Sequence, residues 1–355
     1  MNNTNGTTAP TGNDAPSLGR PSLGRPSSGR LSQFGLVRFS GPDNLSFLQG
    51  QLSNDTNRLS AGAPLLAAYS TPQGRVVAVL HLLPHSSGVM AILPREIVLS
   101  TVERLRKYVL RAKVRIEDVS DQFAVFGRNG SDTPPPGGLP APDAEHAYVE
   151  RDGIGVARLG SQRQPSDRQP SPTNRYWVIG TAPDLATQGI VSHPAEEPHV
   201  EHAWRLADIR AGLPQVYAAT REMFVAQMLN LDLIDGISFT KGCFTGQEII
   251  ARTQHLGRIK RRLHRLRLPA GTWAVGQAIH LHDGRSGRLT ELAAAGAEFE
   301  ALAVLTLETG SGAASTAAAG ASGASGAEDM TVGGAASSTL VAAAELPLPY
   351  ALGSA

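Results

Sequence analysis

Lys241-Gly242-Cys243-Phe244-Thr245-Gly246-Gln247-Glu248 holds the only cysteine of the 355 residues, and directly after it Ile249-Ile250-Ala251-Arg252 turns helical. Thr245 to Glu248 has the spacing of a capping box, in which the threonine oxygen and the glutamate carboxylate satisfy otherwise unpaired backbone N–H groups. This predicts a helix that runs to about Gln254 and is ended by Gly257. Cys243 then stands just ahead of a helix N-terminus and beside Lys241, two influences that favour thiolate over thiol. Gly242 and Gly246 admit a positive φ or the close approach of a ligand, and the same turn offers N–H groups to an anion. Plainer readings stand beside these. A lone cysteine is more often a small buried hydrophobe than a reactive group, Glu248 is equally well only a cap, and a loop lysine is usually just solvated.

Lys-Gly-Cys-Phe-Thr-Gly-Gln-Glu with the Ile-Ala-Arg that ends at Arg252 resembles the signature of the YgfZ-type folate-binding proteins. These are relatives of the glycine-cleavage T-protein (aminomethyltransferase) that act in making or repairing iron–sulfur clusters. Further stretches carry the resemblance: Phe47 to Asp55, Tyr108 to Val114, Ile209 to Pro214, Phe224 to Asp232 and Leu346 to Tyr350. It implies an α+β fold, a T-protein-like ring of α/β subdomains around a central folate channel, closed by a small C-terminal β-barrel. It implies tetrahydrofolate as the cofactor and Cys243 as the reactive group, with Lys241 lowering the thiol pKa and Gly242, Gly246, Gln247, Glu248 and Arg252 forming the motif loop. Trp204 and Phe34 align with aromatic residues that line the folate site of these relatives; for both, simple core packing is the other reading.

The sequence also departs from the pattern. Where aminomethyltransferases place a catalytic aspartate after the turn at Thr71 to Arg75, this chain has Ala78 and Val79, neither of which can accept a proton. Where T-proteins anchor the pterin with a glutamate, it has Arg210. The first departure speaks against aminomethyl transfer; the second, a charge reversal, would change how a pterin is held or abolish that contact.

Composition sets the outer bounds. The 32 Lys and Arg balance 31 Asp and Glu, which argues against a general nucleic-acid binder and leaves only a local basic patch at Arg258 to Arg267. One cysteine permits no internal disulfide and rules out an all-cysteine metal or cluster site within one chain. No metal ligands are therefore expected. No apolar run approaches the ~20 residues of a membrane span, and the N-terminal residues lack the apolar core of an export signal. The expectation is a monomer in the cytoplasm, or in the mitochondrial matrix of a eukaryote, whose partners are folate and iron–sulfur enzymes or their assembly proteins.

Composition and the resemblance together divide the chain. Residues 1–32 read as a disordered tail and, as the resemblance implies, residues 33–268 as the folate-binding region, with Pro/Gly/Ser/Arg-rich loop insertions about 129–146 and 160–175. Residues 269–355 read as the barrel, with a disordered Gly/Ala/Ser insertion about 309–340 that cannot bury enough apolar surface to order itself. Two rival functions remain at this level: a folate-dependent one-carbon transferase, and an RNA or tRNA-binding module making a weak contact through the basic run 258–267. A cysteine hydrolase using His255, His264, His280 or His282 has no supporting motif.

Overall fold

The computed structural model describes residues 27–131, 135–159, 173–255, 257–307 and 339–352. Most of the expected tail, of the second loop insertion and of the Gly/Ala/Ser tract lies outside the described residues.

The chain opens with β1 (Ser27–Arg30) and β2 (Phe34–Ser40), followed by α1 (Asn44–Gln51) and α2 (Asn57–Ser60). Next come β3 (Leu65–Ser70), β4 (Val76–His85), β5 (Gly88–Pro94), α3 (Val98–Arg106) and β6 (Arg115–Asp118). Five of these strands form an antiparallel sheet in the order β3-β4-β5-β2-β6. Residues Val76 to Leu83 of β4 are all buried, because β4 is packed on both faces. Val77, Leu80 and Leu82 join the core under α1 and α3, while Val76, Val79 and Leu83 join cores shared with the rest of the molecule. An apolar run without alternation is what a doubly covered strand requires.

A second antiparallel sheet is built from β7 (Phe123–Ser131), β8 (Tyr148–Arg151), β9 (Ile154–Leu159) and β10 (Thr173–Thr181), with β1 on its edge in the order β1-β7-β10-β9-β8. After α4 (Ala182–Thr187), the fifteen-residue α5 (Glu197–Ala211) buries Val200, Trp204, Ala207, Asp208 and Ile209. It ends on Gly212 at φ 64, in a turn where a Cβ would also lie 2.7 Å from the Tyr350 hydroxyl, so glycine is required twice over. The motif helix α6 (Gln247–His255) leads into β11 (Arg261–Leu268), β12 (Ala278–Leu281), β13 (Ser286–Ala295), β14 (Glu298–Thr306), β15 (Thr339–Val341) and β16 (Ala344–Leu346). These six strands make a curled half-barrel sheet in the order β15-β12-β13-β14-β11-β16.

The α+β expectation holds, and four of its boundaries move. The tail ends earlier than residue 32: Ser27 to Arg30 pair with β7 and Leu31 is 1% exposed. Backbone pairing with a neighbouring strand outweighs the poor intrinsic propensity of Ser-Ser-Gly-Arg. The first insertion begins later than residue 129, since β7 pairs with β10 as far as Ser131, and Leu139 within it is buried against Ile154 and Val178. The C-terminal region begins before residue 269, because β11 lies between β14 and β16. The insertion expected to reach residue 340 stops short of Thr339, where β15 pairs in parallel with β12.

Candidate functional site: the motif loop and the adjoining cavity

The motif divides cleanly into a framework and an exposed face. Lys241 is 8% exposed, and Phe244 and Gly246 are also buried, whereas Gly242, Cys243, Glu248 and Arg252 are exposed. The capping box does not form. Gln247 Oε1 instead accepts from the Phe244 N–H at 3.3 Å, and the Thr245 hydroxyl donates to Gln51 Oε1 at 3.4 Å. The reason is Gly246: its φ of +84 turns the chain one residue before the helix, against the Thr71 carbonyl, so Thr245 is out of capping position. Among the described residues neither Glu248 nor Arg252 makes an ion pair.

Lys241 does not pair with the thiol. Its ammonium donates all three hydrogens to main-chain carbonyls at the end of α1 and the turn after it: Gln49 at 2.6 Å, Leu52 at 2.7 Å and Asn54 at 3.0 Å. Its Nζ also lies 4.8 Å from the centre of the Phe244 ring. Burial pulls its pKa down to about 8, with the Asp55 carboxylate opposing. A helix C-terminus leaves carbonyls without partners, and a buried ammonium needs acceptors; each meets the other's requirement. The thiol-activating role expected of Lys241 is therefore replaced by a structural one, a clamp that fixes the loop two residues before Cys243.

On the other side of the α1–β3 connection lies a cavity of about 420 Å³. Trp177, His81, Leu82 and Leu83 form its buried end, Leu65, Leu66, Leu213, Leu233 and Ile234 its apolar sides, and Arg58, Arg158, His146 and Asp235 its polar lining. Arg58 and Asp235 are paired at 2.8 Å with both side chains well exposed, which puts them at the open end. Tyr350 closes one side and donates to the Gly212 carbonyl at 2.9 Å.

Neither Trp204 nor Phe34 reaches this cavity. Trp204 is 1% exposed and stacks on Trp177 from behind, 6.0 Å between centroids, with the Arg175 guanidinium 4.2 Å from its own ring centre. Phe34 meets Trp177 edge-on at 6.2 Å. Sequence reading therefore found the two rings that hold the cavity-wall aromatic in place and missed the aromatic itself. Trp177 stands on β10, and the signal the sequence lacked is which face that strand turns to the cavity.

His81 was also missed, though a lone histidine in the otherwise apolar Val76 to Leu83 run was visible. Its Nε2 accepts from the Gln215 Nε2–H at 3.1 Å, and its ring stands edge-on to Trp177 at 4.5 Å. Burial, with the Arg175 and His146 charges, pushes its pKa down to about 3, so it is neutral at pH 7. Several buried polar atoms around it lack a protein partner: Gln215 Oε1, Trp177 Nε1, and Nε and Nη1 of Arg175.

The departures also find places. Ala78 and Val79 are wholly buried in core packing. Arg210 turns away from the cavity to pair with Glu300 on β14 at 2.7 Å, where Arg265 also binds at 2.6 Å. Within the basic run, Arg262 pairs with Asp232 at 2.6 Å, both inside, and Arg267 lies 3.5 Å from Glu298. With Arg265 also paired, that leaves Arg258, Lys260 and Arg261 as its exposed cations without an ion pair among the described residues, a weaker footprint for RNA than the sequence suggested. Among the described residues, no group of three or more His, Cys, Asp or Glu could hold a metal, and no helix is long and apolar enough to cross a membrane.

No family model matches the chain. The sequence is 33% identical over 236 residues to the tRNA-modifying protein YgfZ of Colwellia psychrerythraea, covering 65% of this chain and 68% of that one. It is 30% identical over 272 residues to the tRNA-modifying protein YgfZ of Yersinia pestis (strain Pestoides F), covering 70% and 79%. In fold it is similar to the glycine cleavage system aminomethyltransferase T from Bartonella henselae, with a TM-score of 0.55 at 13% identity over 80% of this chain and 79% of that one. The expected T-protein-like architecture is thus borne out.

Proposed function

The chain belongs to the family of the tRNA-modifying protein YgfZ, and from that premise we propose that it binds a tetrahydrofolate in the cavity lined by Trp177 and His81. There it supports the assembly or repair of iron–sulfur clusters in a subset of enzymes, tRNA-modifying ones included, with Cys243 as its working group. The observation that carries this reading is the graded cavity: an aromatic, uncharged polar end at Trp177 and His81, apolar sides, and cations at Arg58 and Arg158. A folate has the same order of parts, a flat heterocycle with hydrogen-bonding edges, an apolar ring and an anionic tail.

The residues present fit such a ligand. The unpartnered Trp177 Nε1 is the kind of buried group that a polar heterocycle edge would satisfy. Trp177 and His81 would bound the heterocycle, and Arg58 and Arg158 would meet the carboxylates by charge-assisted hydrogen bonds. When bound, tetrahydrofolate supplies one-carbon carrying and reducing capacity. The chain's own contribution is to exclude water with the leucine sides, hold the ligand, and present an exposed thiol on a clamped loop.

Aminomethyl transfer finds no support in the site. Asp235 is the only carboxylate among the described lining residues, and it is tied to Arg58. The test is rescue of a strain deleted for this gene with wild-type, Cys243→Ala or Cys243→Ser protein, read as the activity of iron–sulfur enzymes including the one that methylthiolates tRNA. Rescue by wild type and failure of both variants, each still folded and still binding tetrahydrofolate, supports the thiol role. Full rescue by the variants removes it.

A further inference from the structure

Asn54 stands between the cavity and the Cys243 loop and is bonded to both. It is 1% exposed. Its side-chain amide donates to the carbonyls of Leu66 at 2.8 Å and Asp235 at 2.6 Å, two residues that line the cavity. Its own carbonyl accepts from Lys241 Nζ at 3.0 Å, two residues before Cys243. Its Oδ1 accepts from the Asp55 N–H at 2.8 Å, which fixes the turn that aims the other three bonds. Ser53 runs a parallel line: its hydroxyl donates to the Gly236 carbonyl at 2.7 Å, and its carbonyl accepts from the Ser238 N–H at 3.0 Å.

These bonds leave little slack. A shift of Leu66 or Asp235 against a bound ligand would unmake a buried hydrogen bond unless Asn54 follows. If Asn54 follows, Lys241 must follow too, since losing an acceptor from a buried ammonium is more costly than losing a neutral one. Close-packed interiors pass such displacements on rather than absorbing them. We propose that Asn54 is a positioning residue that couples the cavity to the Cys243 loop, so that occupation of the cavity changes the reactivity of the thiol. This rests on the reading of the cavity as a tetrahydrofolate site.

The experiment is the rate of Cys243 alkylation by iodoacetamide in the full chain, with and without saturating tetrahydrofolate, alongside calorimetric binding of the same ligand. The expected result is a change in rate of at least about fivefold, the lower end of typical coupling between sites. In Asn54→Ala the ligand still binds, and the rate no longer responds to it. Lys241→Gln, which leaves the Asn54 bonds to Leu66 and Asp235 in place, cuts the link at its other end and gives the same answer where Asn54→Ala does not fold. Wild-type protein that binds tetrahydrofolate with no change in alkylation rate overturns the coupling and leaves the cavity reading standing. A rate change of equal size in a ligand-binding Asn54→Ala or Lys241→Gln variant means direct shielding of the thiol and also overturns it. Absence of tetrahydrofolate binding by the wild type removes the cavity reading, and the coupling with it.

Discussion

The Nζ of Lys241 lies 2.6 Å from the main-chain carbonyl oxygen of Gln49, one of three carbonyls that share its hydrogens. Lys241→Met strands those acceptors in a largely buried site. At roughly 1–3 kcal/mol for each buried group left unpaired, the expected loss is about 3 kcal/mol or more of folding stability. Lys241→Arg, with a longer and planar head, is expected to recover only part of it. Urea unfolding of the two variants against wild type measures both; a Lys241→Met protein as stable as wild type would remove the clamp.

The two motif glycines should respond oppositely to alanine. At Gly246 the φ of +84 and a Cβ placed 2.6 Å from the Thr71 carbonyl both oppose a side chain. The left-handed conformation alone costs a non-glycine residue about 1–2 kcal/mol, before the clash is relieved. Around Gly242 the space for a Cβ is open, and Gly242→Ala should stay within about 0.5 kcal/mol of wild type. Thermal melts of both variants decide the matter.

The buried Arg175–Asp208 pair, 2.5 Å apart with side chains 0% and 5% exposed, predicts a strongly non-additive mutant cycle. Asp208→Leu leaves a guanidinium buried without its counter-charge, a loss of about 3–5 kcal/mol. Arg175→Met with Asp208→Leu should recover most of that, because no charge is left uncompensated. Additive losses in chemical denaturation would contradict this.

Glu291 gives a pH dependence of definite sign. Burial raises its pKa to about 8, with Asp208 adding to the rise and Arg205 and the Tyr217 hydroxyl opposing it. The folded state then holds a proton that the unfolded chain has released, so stability is greatest below the ordinary glutamate range and is lost as pH rises through about 8. His81, lowered to about 3, acts in the opposite sense below its ordinary pKa of 6.5 and is silent above it. Stability should therefore fall between pH 6.5 and 8, and Glu291→Gln should flatten that fall. A slope unchanged in the variant would place the titration elsewhere.

Much of this was legible in the sequence. The strand Phe34–Ser40, the hairpin of β3 and β4, and the helix ending at the Gly212 turn follow from alternation, turn residues and helical spacing, all local signals. The eight-residue motif located the exposed thiol. What stayed hidden depends on distant partners. Ser27 to Arg30 is a strand only because β7 lies beside it. Lys241 is a clamp only because α1 ends beneath it, and Asn54 becomes a hub only when Asp235 arrives from 181 residues away. Trp177 and Trp204 could not be ranked because stacking order is set by how α5 lies on the second sheet.

Calorimetric titration of tetrahydrofolate, under anaerobic conditions, into the full chain and into Ala211→Trp tests the central claim most directly. Ala211 lines the cavity at the end of α5, so a tryptophan there would take up space that the ligand needs. Saturable one-site binding to wild type and its loss in an equally stable Ala211→Trp is the expected result. No saturable binding to wild type, or equal binding to both, would contradict it.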